Sequence, residues 1–488
     1  YKDNAREGLG ANNAACIMME IHTGNVIAMA SAPGFDLIDP KDISALYTAE
    51  EIAAMEEDGT IYDAYNKLWR NYCISDTYEP GSTIKPFTVA SALDCGAIKG
   101  NEVYLCNGKR EIGGWPIACH NTFGDGEITV KQAVEKSCNV ALMYIAEAEG
   151  KNNFCNYQHN YNFGLKTNID LAGEARTVGL TYDADSMGPT ELATCSFGQG
   201  FNVTMIQMIT GFCSLINGGN YYEPHMVSRV IGQDGSTVKT IEPRILKQTI
   251  SPSVSDTIRD YCNGVVTEGT GVTARPAGYA IGGKTGTAET IPRDNNEYVV
   301  SFMGYAPADD PQIAIYVVVD RPNVADQDDA KFATKLVRSI LTESLPYLGI
   351  FMTEEVSEEE QAELDALHLE NTNYYKQQAV SGNDLPPQEP GEGEEAEGTP
   401  GEAGEGEGAE DGEGEETPEG GEDAAAEGGE DGFVPEIWKT FEKDPNTGNY
   451  IDPNTGHQID PETGHDLEAG SLIGSQVGVA GGGRAAEE

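Results

Sequence analysis

The chain has 488 residues, 39% of them hydrophobic, and 81 acidic against 30 basic residues give a formal net charge of -51 at pH 7. This length admits two to four domains with at least one large core, and the lack of any basic stripe excludes a nucleic-acid-binding surface. No apolar run reaches the length of a membrane span and Tyr1-Lys2-Asp3-Asn4 has no signal-peptide character, so contact with a membrane is expected only through an N-terminal anchor outside this sequence.

Residues 15–21 and 25–31 are short apolar runs on either side of His22-Thr23-Gly24 and predict a β-hairpin. Residues 40–59 carry a helical, acidic surface pattern. The next informative stretch is Tyr78-Glu79-Pro80-Gly81-Ser82-Thr83-Ile84-Lys85-Pro86, where a turn rich in Pro and Gly delivers Ser82 onto the start of a helix. That helix is mostly apolar and ends near Cys95-Gly96, so it is expected to be buried. Lys85 lies three residues after Ser82, on the same helical face. A serine hydroxyl is a weak nucleophile until a base accepts its proton. A lysine does this when burial or a neighbouring positive charge lowers its pKa. The same spacing also fits an N-capping serine beside a solvated lysine, and the pair alone does not choose between the two.

The ten cysteines show no CxxC spacing that would suggest a zinc site, and several sit in apolar runs as core residues. Cys106 and Cys119 bracket a Gly-rich turn segment, residues 107–118, and a disulfide or two free buried thiols both fit. Residues 127–149 predict a helix in two pieces joined at Ser137-Cys138-Asn139, which either caps the second piece or points into a cleft. Ser196-Phe197-Gly198-Gln199-Gly200 is a turn, followed by a helical pattern over residues 204–216 that stops at Asn217-Gly218-Gly219. Residues 279–288 read as a strand whose glycines admit another backbone or a ligand. Residues 298–305 and 312–320 form a second hairpin and residues 330–345 a closing helix. Strands, then helices, then strands and a helix predict an α+β fold. The two ends pair in one antiparallel sheet, the middle forms a helical subdomain, and the cleft between them is the default site of chemistry.

Residues 1–346 are thus expected to form the main domain, followed by an acidic, partly helical linker over residues 347–384. Residues 385–432 are mostly Gly, Glu, Pro and Ala and predict disorder, because so little apolar area cannot offset the entropy of ordering. Residues 433–488 carry an eight-residue repeat, Asp444-Pro445-Asn446-Thr447-Gly448, Asp452-Pro453-Asn454-Thr455-Gly456 and Asp460-Pro461-Glu462-Thr463-Gly464. Three such units offer little core, so a flexible tail is expected in preference to a calcium- or wall-contacting module. His457 and His465 read as exposed residues rather than ligands.

Three motifs stand in one order: Ser82-Thr83-Ile84-Lys85, Ser137-Cys138-Asn139 and Lys284-Thr285-Gly286. Each is weak alone, whereas the ordered set is specific to penicillin-binding proteins and serine β-lactamases. With Asp76-Thr77-Tyr78-Glu79-Pro80-Gly81, the Ser196 to Gly200 turn and Thr287-Ala288-Glu289, residues 12–346 closely resemble the transpeptidase domain of class B penicillin-binding proteins. The Cys106 and Cys119 pattern resembles a feature of some division- or sporulation-type members from Gram-positive bacteria.

The resemblance implies a five-stranded antiparallel sheet flanked by helices. It also implies a serine acyltransferase that cross-links peptidoglycan stem peptides, with Ser82 as nucleophile on D-Ala-D-Ala and Lys85 as its base. Ser137 would relay a proton, Asn139 would hold Lys85 and the substrate amide, and Lys284 would supply positive charge. Thr285, Gly286 and Thr287 would bind substrate, and the backbone N–H groups of Ser82 and Thr287 would form the oxyanion hole. Neither cofactor nor metal is implied. The implied partners are stem peptides, β-lactams and a cell-wall synthesis complex at the extracytoplasmic face of the bacterial membrane. Alternatives on the same residues are a D,D-carboxypeptidase, a β-lactamase, or a penicillin-binding sensor or scaffold. No glutamate that would activate a deacylating water stands out, so slow deacylation is expected.

Overall fold

The computed structural model describes residues 10–366 apart from residues 45 and 294, together with residues 443, 450, 451, 458 and 459. The chain divides into two units, Tyr1–Gln388 and Glu389–Glu488.

In the first unit, β1 (Ala11–Glu20) and β2 (Val26–Ala32) form the opening hairpin. The late strands are β3 (Gly282–Glu289), β4 (Tyr298–Ala306) and β5 (Ile313–Pro322). They build one five-stranded sheet in the order β3-β4-β5-β1-β2, antiparallel throughout. The two ends of the domain meet where β1 pairs with β5, from Ala11 opposite Pro322 to Glu20 opposite Ile313. Alternation along β5 divides the interior. Ala314, Tyr316 and Val318 face a core shared with the helical middle of the chain. Ile313, Ile315, Val317 and Val319 face a second core under the closing helix.

The helices that position the site are α1 (Lys85–Asp94), α2 (Val130–Glu135), α3 (Asn139–Glu149), α4 (Met205–Ile216), α5 (Pro252–Thr267) and α6 (Lys331–Tyr347). A 3-10 turn, Gly81–Ile84, feeds α1, whose residues from Lys85 to Ala92 are all buried. Every residue of α4 is buried as well, and Thr204 starts it with a capping box to Gln207.

One local expectation changes, and one alternative left open is resolved. Residues 127–129 are not helical, because Gly126–Thr129 pairs as a strand with Val103–Cys106, and Thr129 then caps α2 through Gln132. The Gly-rich segment between Cys106 and Cys119 is a hairpin, Lys109–Ile112 paired with Trp115–Ala118, and both cysteines are free. Beyond α6, Ile350, Met352 and Leu364 bury their side chains in the second core. Arg275 pairs there with Glu354 and Glu360, the latter on the helix Glu358–Ala366.

In the second unit, Tyr450–Ile451 pairs antiparallel with Gln458–Ile459, one repeat apart. The Gly/Glu-rich segment 385–432, His457, His465 and the remainder of the repeat lie outside the described residues. No described helix is long and apolar enough to cross a membrane.

Candidate active site

Stacked backbones hold the turn before α1. Tyr78 and Val203 exchange backbone hydrogen bonds of 3.0 Å, and the N–H of Gly81 donates to the carbonyl of Gly198 at 3.0 Å. Gly81 has φ 56, and a Cβ on it would lie 2.4 Å from the carbonyl oxygen of Thr287, so only glycine lets β3 pass this close. Ser82 is thereby set beside Thr287, half-buried, at the edge of the sheet. Gly286 serves the same approach, since a Cβ there would lie 2.2 Å from Ser301 Oγ and 2.9 Å from Thr83 Cγ2.

Glu79 ties the turn down further. Its buried carboxylate accepts from the N–H of Gly200 at 2.8 Å and from Arg293 Nη2 at 2.8 and 2.6 Å. One side chain therefore links the serine turn, the Ser196 to Gly200 turn and the loop after β3.

Lys85 and Lys284 are both fully buried. Lys85 Nζ donates to the Ser137 carbonyl at 2.6 Å, Ser137 Oγ at 3.0 Å and Asn139 Oδ1 at 2.8 Å. Lys284 Nζ reaches the same Ser137 Oγ at 3.0 Å, with the Thr285 carbonyl at 3.0 Å and Thr285 Oγ1 at 3.3 Å. Ser137 adopts φ 57 in the turn between α2 and α3, a left-handed conformation that aims its hydroxyl between the two amines. Asn139 opens α3 and is steadied by its Nδ2 donating to the Ala118 carbonyl at 3.2 Å. Burial pushes Lys85 down to about 8, against the opposing influence of Cys119, Cys138 and Asp125. Lys284 is lowered well below the ordinary lysine range, by burial first and then by the positive charge of Lys85. Two amines around one hydroxyl in a dry site disfavour a second proton.

A cleft of about 700 Å³ opens above these groups, lined among others by Ser82, Ser137, Asn139, Thr285 and Thr287. Lys85, Lys284 and Gly286 lie beneath its floor. The geometry brings together Lys85, Ser137, Asn139, Lys284 and Thr285, with Ser82 and Thr287 on the adjoining wall. The lysine amine is turned to Ser137 and Asn139, and the Ser82 hydroxyl makes no hydrogen bond among the described residues. Thr287 Oγ1 donates to the Asp328 carbonyl at 3.3 Å.

Sequence reasoning assigned no role to Glu79, Arg293 or Thr270, whose hydroxyl meets Thr285 Oγ1 at 2.7 Å on the cleft wall. Glu79 stands inside a quoted motif, whereas Arg293 and Thr270 carry no local signal. Among the described residues, the groups spaced to hold a metal ion are Cys106, Cys119, Asp125 and Cys138, behind the Ser137 turn. A serine in an open cleft, a depressed buried amine nearby and a shared hydroxyl between two amines are the parts needed for acyl transfer through the serine.

The profile of the penicillin binding protein transpeptidase domain matches residues 14–342. Stage V sporulation protein D of Bacillus subtilis is 35% identical over 353 residues, 71% of this chain and 51% of that protein. Penicillin-binding protein PbpB of Mycolicibacterium smegmatis is 28% identical over 69% of this chain and 50% of its own length. The chain thus spans about half the length of the curated relatives it matches. Among solved structures, the D,D-transpeptidase domain of a peptidoglycan glycosyltransferase from Eggerthella lenta superposes with a TM-score of 0.58 at 26% identity, over 69% of this chain and 80% of that one. The corresponding domain of penicillin-binding protein 3 from Burkholderia pseudomallei, 24% identical, shares the fold with a TM-score of 0.57 over 71% of this chain and 91% of its own.

Proposed function

This chain belongs to the penicillin-binding protein transpeptidase family, and on that premise we propose that it is a serine-type D,D-transpeptidase acting on peptidoglycan stem peptides. The observation that carries the reading is the convergence of two buried amines, Lys85 and Lys284, at 3.0 Å each on Ser137 Oγ, under the cleft that Ser82 faces.

Neutral Lys85 takes the Ser82 proton as Ser82 Oγ attacks the carbonyl between the two D-alanines. The backbone N–H groups of Ser82 and Thr287 hold the oxyanion. Ser137 Oγ then passes a proton to the departing D-alanine amine, and Asn139 keeps Lys85 and the substrate amide in register. Lys284, with the hydroxyls of Thr285 and Thr287, receives the terminal carboxylate, and that anion restores the charge burial opposes on Lys284. Gly286 contributes by letting β3 pass close to the serine turn. An amine of a neighbouring stem peptide accepts the acyl group from Ser82. A β-lactam opens on the same serine, and its amine, still tethered to the acyl group, blocks the acceptor.

The setting we propose is the extracytoplasmic face of a bacterial membrane, in a cell-wall synthesis complex of the division or sporulation type. The 35% identity to Stage V sporulation protein D supports that placement.

A fluorescent penicillin tests the reading. The label should appear on the peptide containing Ser82, vanish in Ser82→Ala and persist for hours. No label, or equal label on Ser82→Ala, overturns the assignment. Rapid recovery of free enzyme replaces transpeptidation by hydrolysis, as in a β-lactamase.

A further inference from the structure

Behind the catalytic turn, three thiols and a carboxylate meet. The sulfurs of Cys106, Cys119 and Cys138 and a carboxylate oxygen of Asp125 all lie within 4.8 Å of one another. Cys119 Sγ and Cys138 Sγ are 3.7 Å apart. A tetrahedral ion with metal–sulfur bonds of about 2.3 Å sets its sulfurs about 3.8 Å apart, whereas a disulfide closes to about 2.05 Å and engages only two sulfurs.

The donors come from separate pieces of chain. Cys106 ends the strand Val103–Cys106, Cys119 follows Trp115–Ala118, Asp125 precedes Gly126–Thr129, and Cys138 caps α3. The N–H of Cys119 donates to the Gly108 carbonyl at 2.8 Å. A Cβ on Gly124 would lie 2.4 Å from the Cys106 carbonyl oxygen, so the loops are pressed together at this point.

Two observations besides the clustering point to a ligand. Asp125 Oδ1 accepts from Asn121 Nδ2 at 3.0 Å, but its Oδ2 is buried without a hydrogen-bond partner among the described residues. A buried carboxylate oxygen left this way is costly, and a cation removes the cost. The lobe around the cluster is also poor in core, because Val103, Leu105, Trp115 and Phe123 are exposed on it, and a lobe of this kind needs a staple.

We infer that Cys106, Cys119, Asp125 and Cys138 bind one thiophilic divalent cation, with zinc suited to three thiolates and a carboxylate gathered within 4.8 Å. All four positions are taken by protein, so the ion is a structural clamp rather than a Lewis acid. Its binding displaces the remaining thiol protons to solvent and involves no change of oxidation state. Cys138 stands between Ser137 and Asn139, so the clamp fixes the turn that presents both to Lys85.

The full chain, reduced and dialysed against Zn²⁺ alone, should hold about one equivalent by elemental mass spectrometry. Cys106→Ser should weaken retention at least about tenfold, while Cys95→Ser and Ser82→Ala keep the ion. Co²⁺ added to the metal-free wild type should give tetrahedral visible bands with sulfur-to-cobalt charge transfer, a readout that stands even if Cys106→Ser fails to fold. Reduced wild type without bound Zn²⁺, a Cys106→Ser variant that retains it fully, or a Co²⁺ spectrum without sulfur charge transfer each overturns the site. Chelation should slow penicillin acylation, and Zn²⁺ should restore it. Only this last effect rests on the proposed transpeptidase reading, because metal content in Ser82→Ala is independent of it.

Discussion

Lys85 Nζ has three acceptors, the Ser137 carbonyl, Ser137 Oγ and Asn139 Oδ1, which occupy all three hydrogens of an ammonium. To accept a proton it must first be neutral. Two hydrogens then stay on the Ser137 carbonyl and Asn139, and the lone pair is free for a hydroxyl. With burial holding Lys85 at about 8, the acylation rate should rise with pH through about 8 and level off, read by stopped-flow labelling with penicillin. A rate independent of pH between about 7 and 9 would remove Lys85 as the base. The same depression has a stability sign. The unfolded lysine keeps its proton up to about 10.5, so between about 8 and 10.5 the unfolded chain binds more protons and this group's contribution to stability rises with pH. Wild type should show that rise relative to Lys85→Met. The residues of this chemistry were legible because a helical turn or a short motif fixes their spacing. The Glu79–Arg293 pair was not, since its members stand 214 positions apart and meet only through tertiary structure.

At the scale of elements, the close passage of β3 over the 3-10 turn turns separate motifs into a site. Thr83 Oγ1 donates to the Pro80 carbonyl at 2.7 Å, which tightens the turn against the strand. Gly286→Ala should push β3 off Thr83 and Ser301, destabilising the fold by about 1–3 kcal/mol. Acylation should fall by more than that loss of folded population explains, because Thr285 and Thr287 move with the strand. Thermal melting beside acylation of the folded fraction checks this, and a variant that melts early yet acylates normally would sever the strand position from the chemistry. The apolar runs of the strands and the helical pattern of α4 were legible as local patterns. The strand Gly126–Thr129 was hidden because its pairing partner, Val103–Cys106, lies upstream and nothing in its own few residues distinguishes it from the start of α2. The thiol cluster escaped for a related reason. Its cysteines follow no CxxC spacing, and only the folded hairpin brings them together.

Across the whole molecule, the five-stranded sheet carries a core on each face, and the second is completed by chain that follows α6. The α+β class was legible from the apolar runs at the two ends of the domain. Ile350, Met352 and Leu364 were not, because Ile350-Phe351-Met352 is a run of only three residues ahead of an acidic stretch in which Leu364 stands apart. Their burial makes the place at which the chain is cut decisive. Ending it after Ala366 leaves both cores of the first unit and the Arg275 pairs with Glu354 and Glu360 intact. Ending it after Tyr347 removes three buried side chains, at about 2–5 kcal/mol for a large side chain lost from a core, and strips Arg275 of both carboxylates. The shorter chain should therefore unfold at markedly lower denaturant, while the chain ending at Ala366 should keep the midpoint and the acylation rate of the full protein. Slower acylation in the chain ending at Ala366 would show that the acidic tail acts on the catalytic unit. An unchanged midpoint in the chain ending at Tyr347 would show that the second core is complete without it.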